Sequence, residues 1–292
     1  MNPFIRTLCI GAAVVAASLA HAHDPRWSQP QQPFRIYGNS WYVGTQGLSA
    51  ILITSPQGHV LIDGTLEENA AQIEANIRAL GFRLRDIKLI LNSHAHFDHA
   101  GAIARLAHDS GAAVAASEAG AKELRSGGDD PDDPQYGMAT RYPTVTPVKV
   151  IADGAAVRVG SVAITAHYTP GHTPGSTSWT WLSCEKARCV TLAYVDSLTA
   201  LGHDGFRYSD DPARVARFRR SFATVASLPC DILITPHPDA SGFMQKVAAR
   251  DREHSSAALI DTSACRNYAA AARPRFEARL AKEQQDAREA GQ

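Results

Sequence analysis

Three histidines and an aspartate fall within six residues, in the order His94, His96, Asp98, His99. Two further histidines stand in tight Pro/Gly contexts: His172 in Thr169-Pro-Gly-His-Thr-Pro-Gly and His237 in Thr235-Pro-His-Pro. Imidazole and carboxylate are the usual ligands of a catalytic zinc ion, which keeps one position open for water. His94 and His96 are two residues apart, so an extended segment points both side chains the same way. Asp98 and His99 lie at the turn into the next helix, where the chain changes direction and the ligands can diverge to serve two ions. Two ions roughly 3.5–4 Å apart can share one hydroxide and also hold a substrate oxygen. A lone His-x-His is a weak signal. The His-x-His-x-Asp-His run between a buried strand and a helix, completed by His172 and His237, is a strong one. His23, His59, His108, His167 and His254 read as surface or core residues.

These residues need a frame. Short β-type runs come first, at 34–37, 40–43, 50–54 and 59–62, rich in Val, Ile and Tyr and separated by Gly and Pro. A helix follows, with Thr65 and Glu68 as a capping box, Ala70, Ile73, Ile77 and Leu80 at helical spacing, and Gly81 as its stop. The apolar run 87–91 reads as a buried strand leading straight into His94. A second helix carries Ile103, Leu106 and Ala107 inward and ends at Gly111. The stretch 126–147 holds three Gly, four Asp and four Pro and reads as a long surface loop bordering the site. Strands resume at 148–151, 162–168, 176–182 and 190–194. A helix starts at Asp211-Pro212, a strand spans 232–235, and a last helix runs through Tyr268, Ala272, Phe276 and Leu280. Pro274 should kink that helix or delay its start. Strands, helices, strands, helices is an order that two packed sheets covered by helices on both outer faces would satisfy.

The 292 residues carry 29 basic and 29 acidic side chains, so nothing points to a nucleic acid or another polyanion. Arg6, the apolar run Leu8 to Leu19 and Ala20-His21-Ala22 have the form of a cleaved signal peptide over residues 1–22, with an apolar run too short to span a bilayer. The mature chain, 23–292, is then one exported domain. Of five cysteines, Cys9 leaves with the leader. The other four, Cys184, Cys189, Cys230 and Cys265, suggest two disulfides in an oxidising compartment. Cys184 and Cys189 enclose four residues at a hairpin tip, which favours the local pair and leaves Cys230 with Cys265.

The segments Ile90-Leu-Asn-Ser-His-Ala-His-Phe-Asp-His-Ala-Gly101, Gly171-His-Thr-Pro-Gly-Ser-Thr-Ser-Trp-Thr-Trp181, Tyr194-Val-Asp-Ser-Leu-Thr199 and Leu228-Pro-Cys-Asp-Ile-Leu-Ile-Thr-Pro-His-Pro238 resemble those of the metallo-β-lactamase superfamily. They resemble the third subclass in particular, over most of the mature chain. The resemblance implies an α/β four-layer αββα sandwich, two mixed β-sheets flanked by helices. It implies two Zn2+, the first held by His94, His96 and His172 and the second by Asp98, His99 and His237. Where the other subclasses place a cysteine at the second metal, Ser197 stands here. The resemblance assigns Ser197 and Thr199 to the antibiotic's carboxylate, and it supports the Cys230–Cys265 pairing. Asp63 either orients the metal loop or is a simple turn aspartate, and Trp41 either borders the cleft or belongs to the core. His203 occupies a place where some relatives carry a tyrosine.

By the same resemblance the chain is a periplasmic, monomeric zinc β-lactamase. It would open the β-lactam amide of penicillins, cephalosporins and carbapenems with a zinc-bound hydroxide, Asp98 taking part, and so confer antibiotic resistance. No serine nucleophile motif of the G-x-S-x-G type is present. Two alternatives stand beside this reading. One is a glyoxalase-type thioesterase or a lactonase on the same fold, in which Asp196 of Val195-Asp196-Ser197 would bridge the metals. The other is an exported zinc-binding protein without turnover.

Overall fold

The computed structural model describes residues 24–290; the expected leader, 1–22, lies outside them. Strands β1 (Phe34–Tyr37), β2 (Ser40–Tyr42), β3 (Ile51–Ser55) and β4 (Gly58–Ile62) form an antiparallel meander. Strands β5 (Ile87–Leu91), β6 (Ala113–Ala116) and β7 (Val148–Val150) extend it in parallel, giving a seven-stranded mixed sheet. The parallel steps need crossovers, supplied by helices α1 (Ala70–Ala79), α2 (Phe97–Ala100), α3 (Ile103–Ser110) and α4 (Glu118–Ser126). The second sheet runs β12-β11-β10-β9-β8. Its members are β8 (Ala156–Val159), β9 (Val162–Tyr168), β10 (Thr177–Glu185), β11 (Arg188–Tyr194) and β12 (Ile232–Ile234). Helices α5 (Pro212–Ser227), α6 (Phe243–Glu253) and α7 (Ala264–Ala290) complete the chain.

Strand periodicity sorts the apolar residues into layers. Ile51, Ile53, Val60 and Ile62 of the first sheet face Val190, Leu192, Ile232 and Ile234 of the second, with Trp179 and Trp181 between them. Leu52 and Leu61 point the other way, onto Ile73, Ile77, Ile103 and Leu106 of α1 and α3. Ala193 and Leu233 point onto Phe218, Phe222 and Phe276 of α5 and α7. The result is the expected four-layer αββα sandwich with two mixed sheets. Both expected disulfides, Cys184–Cys189 and Cys230–Cys265, are formed. Among the described residues no helix is long and apolar enough to cross a membrane.

Several local expectations change. Thr65 does not cap α1: its φ is +57°, and a 3-10 turn at Glu67–Asn69 intervenes before the helix starts at Ala70. The segment 63–65 instead bends sharply, and Thr65 Oγ1 accepts a bond from the Asn69 side chain at 3.1 Å. Pro274 neither delays nor ends α7, which begins at Ala264 and runs through it. Both Pro274 and Ala270, whose carbonyl loses its helical partner, lie on the exposed face, where water can serve it. Strands β6 and β8 and helices α4 and α6 had no counterpart in the sequence reading.

Phe276 joins Phe218, Phe222 and Tyr208 in one aromatic cluster, with centroids 4.6, 5.8 and 5.5 Å away. It is 1% exposed. Phe276→Ala should therefore cost about 3–5 kcal/mol of stability, read from the shift of the urea unfolding midpoint.

Candidate metal centre

All six expected ligands converge. His94 and His96 follow β5, which ends three residues before His94, and Asp98 and His99 sit in the short helix α2. His172 lies on the β9–β10 loop and His237 just after β12. The ring of His94 is centred 4.8 Å from His96, 4.7 Å from His172 and 4.4 Å from His99. Ligand-type atoms of His94, His96 and His172 all lie within 4.8 Å of one another, as do those of His94, Asp98 and His99. His237 Nε2 is 3.2 Å from Asp98 Oδ2 and 3.2 Å from His99 Nε2.

Each of three imidazoles is anchored through one nitrogen. His94 Nδ1–H donates to Asp196 Oδ1 at 2.7 Å, and His96 Nε2–H to Asp133 Oδ2 at 2.9 Å. His172 Nδ1–H donates to the Thr199 carbonyl at 2.9 Å, with Thr199 Oγ1 at 3.0 Å. Carboxylates and carbonyls accept, so the proton sits on the outer nitrogen and the lone pair on the other. This is how metal-ligating histidines are commonly held. His94 Nε2 is buried without a partner, and two imidazole nitrogens with a carboxylate oxygen meet around His237. Lone pairs turned on one another at this range fit a divalent cation. Burial and the neighbouring His94 and His96 lower His172 to about 3. Burial, helped by His99 and His96, holds His94 well below its ordinary value. Burial also opposes charge on Asp98, but His99 and His237 outweigh it and keep that carboxyl well below the usual range. At His96 burial is outweighed by the Asp133 carboxylate bonded to it, which pushes it up to about 9, whereas His94 and His172 are held neutral beside an ionised Asp98, the states in which such groups coordinate metal.

The loops are fixed from beneath. Asp63, fully buried with φ +62°, accepts from Ser93 N at 2.7 Å, Ser93 Oγ at 2.6 Å, Asn92 Nδ2 at 3.0 Å and Tyr194 OH at 2.8 Å. It thereby fixes the residue before His94 to both sheets. Burial pushes it up to about 7, against the pull of those bonds. Ser93 O accepts from Thr177 N at 2.8 Å, which ties the His94 and His172 loops together. Gly171 has no room for a side chain, because a Cβ there would lie 2.1 Å from the Phe218 ring. A Cβ on Gly175 would lie 2.4 Å from Gly120 N. Thr235 Oγ1 donates to the His237 carbonyl at 2.6 Å.

Three placements differ from the sequence reading. The 126–147 stretch is more than a surface loop: Asp133 is buried on His96, Gln135 Nε2 lies 3.4 Å from His96 Nδ1, and Tyr142 OH donates to Ala95 O at 2.5 Å. Two buried carboxylates, Asp130 and Asp133, among four aspartates of a Pro/Gly-rich segment leave no sequence signal. Trp41 packs edge-on against Phe82 under α1, whereas the Trp27 ring lies tilted at 43° with its centroid 5.1 Å from His237. Trp27 is held there by its carbonyl, which accepts from Thr45 Oγ1 at 2.8 Å and Asn69 Nδ2 at 2.9 Å. His203 joins two loops through its backbone, N–H to Pro134 O at 2.8 Å, while its ring turns to Asp204 O. Ser197 is buried at the end of the β11 extension, and Thr199 is exposed beyond it. Asp63→Ala would strip a buried acceptor from four donors. It should cost roughly 3 kcal/mol or more, measured by thermal unfolding, whereas Trp41→Phe should leave the site unaltered.

The family profile of the Metallo-beta-lactamase superfamily matches residues 43–184. A hydroxyacylglutathione hydrolase from Anaeromyxobacter dehalogenans (strain 2CP-C) is 35% identical over 127 residues, 44% of this chain and only 39% of that protein's length. Solved structures carry the likeness across nearly the whole chain. The Rm3 metallo-beta-lactamase is 51% identical with a TM-score of 0.86, covering 89% of this chain and 97% of its own. MEM-A1, a subclass B3 metallo-beta-lactamase isolated from a soil metagenome library, is 50% identical with a TM-score of 0.86, covering 89% and 99%. With identity of that order over that coverage, the chain belongs to the metallo-β-lactamase superfamily, within subclass B3.

Proposed function

We propose that the chain is a zinc-dependent β-lactamase, with His94, His96 and His172 holding one zinc ion and Asp98, His99 and His237 the other. The observation that carries this reading is the convergence of six side chains whose free nitrogens and carboxylate oxygen face one another, in a chain half identical to enzymes named metallo-β-lactamases. Ions bound there would lower the pKa of a water molecule toward neutrality and polarise the lactam carbonyl. The residues do the rest. Asp196, Asp133 and Thr199 hold three imidazoles in one tautomer and one orientation. Asp98, kept ionised by His99 and His237, supplies an oxygen acceptor at the floor of the cleft, where a water proton can be held. Ser197 and Thr199 stand on the strand extension that borders His172, and they would bind the substrate's carboxylate. Trp27 covers the outer face of His237, limits water there and gives apolar substituents a surface.

Export through the 1–22 leader to the periplasm fits both disulfides, which persist in oxidising compartments. It is also where β-lactam hydrolysis would confer antibiotic resistance. The thioesterase alternative draws on the 35% match to the hydroxyacylglutathione hydrolase. Against it stand the higher identity and coverage of the metallo-β-lactamase structures; Asp196 itself supports His94 through Oδ1 and leaves Oδ2 buried without a partner.

Purified protein loaded with zinc should hydrolyse a penicillin, a cephalosporin and a carbapenem, and exhaustive chelation should abolish all three rates until zinc is returned. Rates that survive zinc removal, or a faster rate on S-lactoylglutathione than on any lactam, would overturn the reading. Asp133→Ala should weaken zinc binding about 10–100-fold by loosening His96, as read by competition with a coloured chelator.

A further inference from the structure

Residues 195–207 leave β11 and return to α5 without helix or strand, yet they carry Ser197 and Thr199. A strap with no ladder of its own must take its shape from outside. His203 N–H ties its middle to Pro134 O at 2.8 Å, and a second group of contacts comes from α7. Arg279, on α7, donates to the Phe206 carbonyl at 3.0 Å, to the Ala200 carbonyl at 3.3 Å and to Glu283 Oε1 at 2.6 Å. Its guanidinium lies 5.7 Å over the ring of Tyr208. Glu283, 6% exposed, accepts from Ser209 N at 2.9 Å through its other oxygen, and its own carbonyl accepts from Arg207 Nη2 at 3.0 Å. Tyr208, fully buried, lies within hydrogen-bond reach of two carbonyls, Leu201 O at 3.0 Å and Gly171 O at 3.2 Å. The second belongs to the residue before His172.

A planar guanidinium with its donors fixed in a fork can hold two carbonyls six residues apart at a set separation. Its partner carboxylate faces burial that works against its charge. Arg279 and the Ser209 amide outweigh that and hold the Glu283 carboxyl below its ordinary value. None of these residues touches a ligand atom of the centre. They lie in the last third of the chain, in a helix that otherwise serves as packing for the second sheet.

We propose that Arg279 and Glu283 are positioning residues, a half-buried arginine and a buried glutamate on α7 that set the Ser197–Thr199 strap at the distance from the metal centre that a substrate carboxylate requires. The inference rests on the reading of Ser197 and Thr199 as the carboxylate site. It extends that reading by making substrate affinity depend on the carboxy-terminal helix. Arg219 supplies the control: it bonds Glu277 between α5 and α7 at 2.6–2.8 Å on the exposed surface and touches no part of the strap.

Arg279→Met and Arg219→Met are compared in the zinc-loaded full chain, together with Glu283→Gln, which keeps an acceptor for Ser209, and Glu283→Leu, which does not. Arg279→Met and Glu283→Leu should raise the KM for a penicillin on the order of tenfold, with a smaller fall in kcat and in zinc affinity because Thr199 also orients His172. They should speed amide exchange in residues 199–209 by a similar factor. Arg219→Met should do neither, and Glu283→Gln should retain most of the wild-type KM. Unchanged exchange and unchanged KM in a folded Arg279→Met protein would overturn the proposal, as would the same effects in Arg219→Met. Should Arg279→Met fail to fold, Tyr208→Phe decides by the same exchange readout, since it removes only the hydroxyl between Leu201 and Gly171. If the wild type hydrolyses no lactam at all, the functional reading falls, and the exchange comparison still decides whether this pair holds the strap.

Discussion

Six side chains able to bind metal, five of them buried, meet in one cleft, and the fold must keep their lone pairs turned inward. Burial favours the neutral form of His94, His99 and His172, but a neutral ring can present either nitrogen. The structure resolves that choice by giving the outer nitrogens of His94, His96 and His172 an acceptor: Asp196, Asp133 and a backbone carbonyl. Those acceptors come from the end of the second sheet, the loop after α4 and the strap after β11. The cleft is therefore a joint between elements far apart in the chain, and none of them makes it alone.

This explains why both sheets are needed. The first sheet delivers the His94–His99 run at the end of β5, where the chain leaves the ladder and its side chains become free to converge. The second delivers His172 and His237 at the ends of β9 and β12. Asp63 sits under the seam, taking donors from the β5 end and from Tyr194 of β11. Its left-handed backbone lets the chain turn out of β4 directly beneath Ser93. A single buried carboxylate thus fixes the spacing of the two halves at the point where the ligands meet.

The legible parts of the sequence were those with a local physical signature. Alternating or continuous β-branched runs located β1, β5 and β9, and Asp211-Pro212 marked the start of α5, where the Asp211 side chain does accept from Arg214 N at 3.0 Å. The six candidate ligands were legible because spacing and flanking Gly/Pro constrain them whatever the tertiary context. Helix α4 and strand β6 were missed because their alanines and small residues carry little contrast between faces. Asp133 was hidden in an acidic, proline-rich stretch that looks like any solvated loop. Trp27 and Trp41 differ only in tertiary placement: Trp27 is carried to His237 by bonds to loops remote in sequence. Thr65 failed as a cap because Asp63 and Thr65 both take positive φ, a tertiary demand that overrides the local capping pattern.

The asymmetry between the two substrate-facing borders follows from the same logic. On one side Trp27 rests on rigid neighbours, the loops at 45–47 and 65–69, through backbone and side-chain bonds. On the other side the strap with Ser197 and Thr199 has no strand partner beyond Tyr194, and Thr199 already has both oxygens at His172. Any displacement of the strap therefore moves the imidazole as well as the carboxylate-binding groups. A border that does two tasks needs a fixed reference, and the nearest rigid body is α7, itself seated on Phe218, Phe222 and the Cys230–Cys265 bridge. The long carboxy-terminal helix, which looks in the sequence like a cover for the second sheet, is then also the part that sets the width of the cleft.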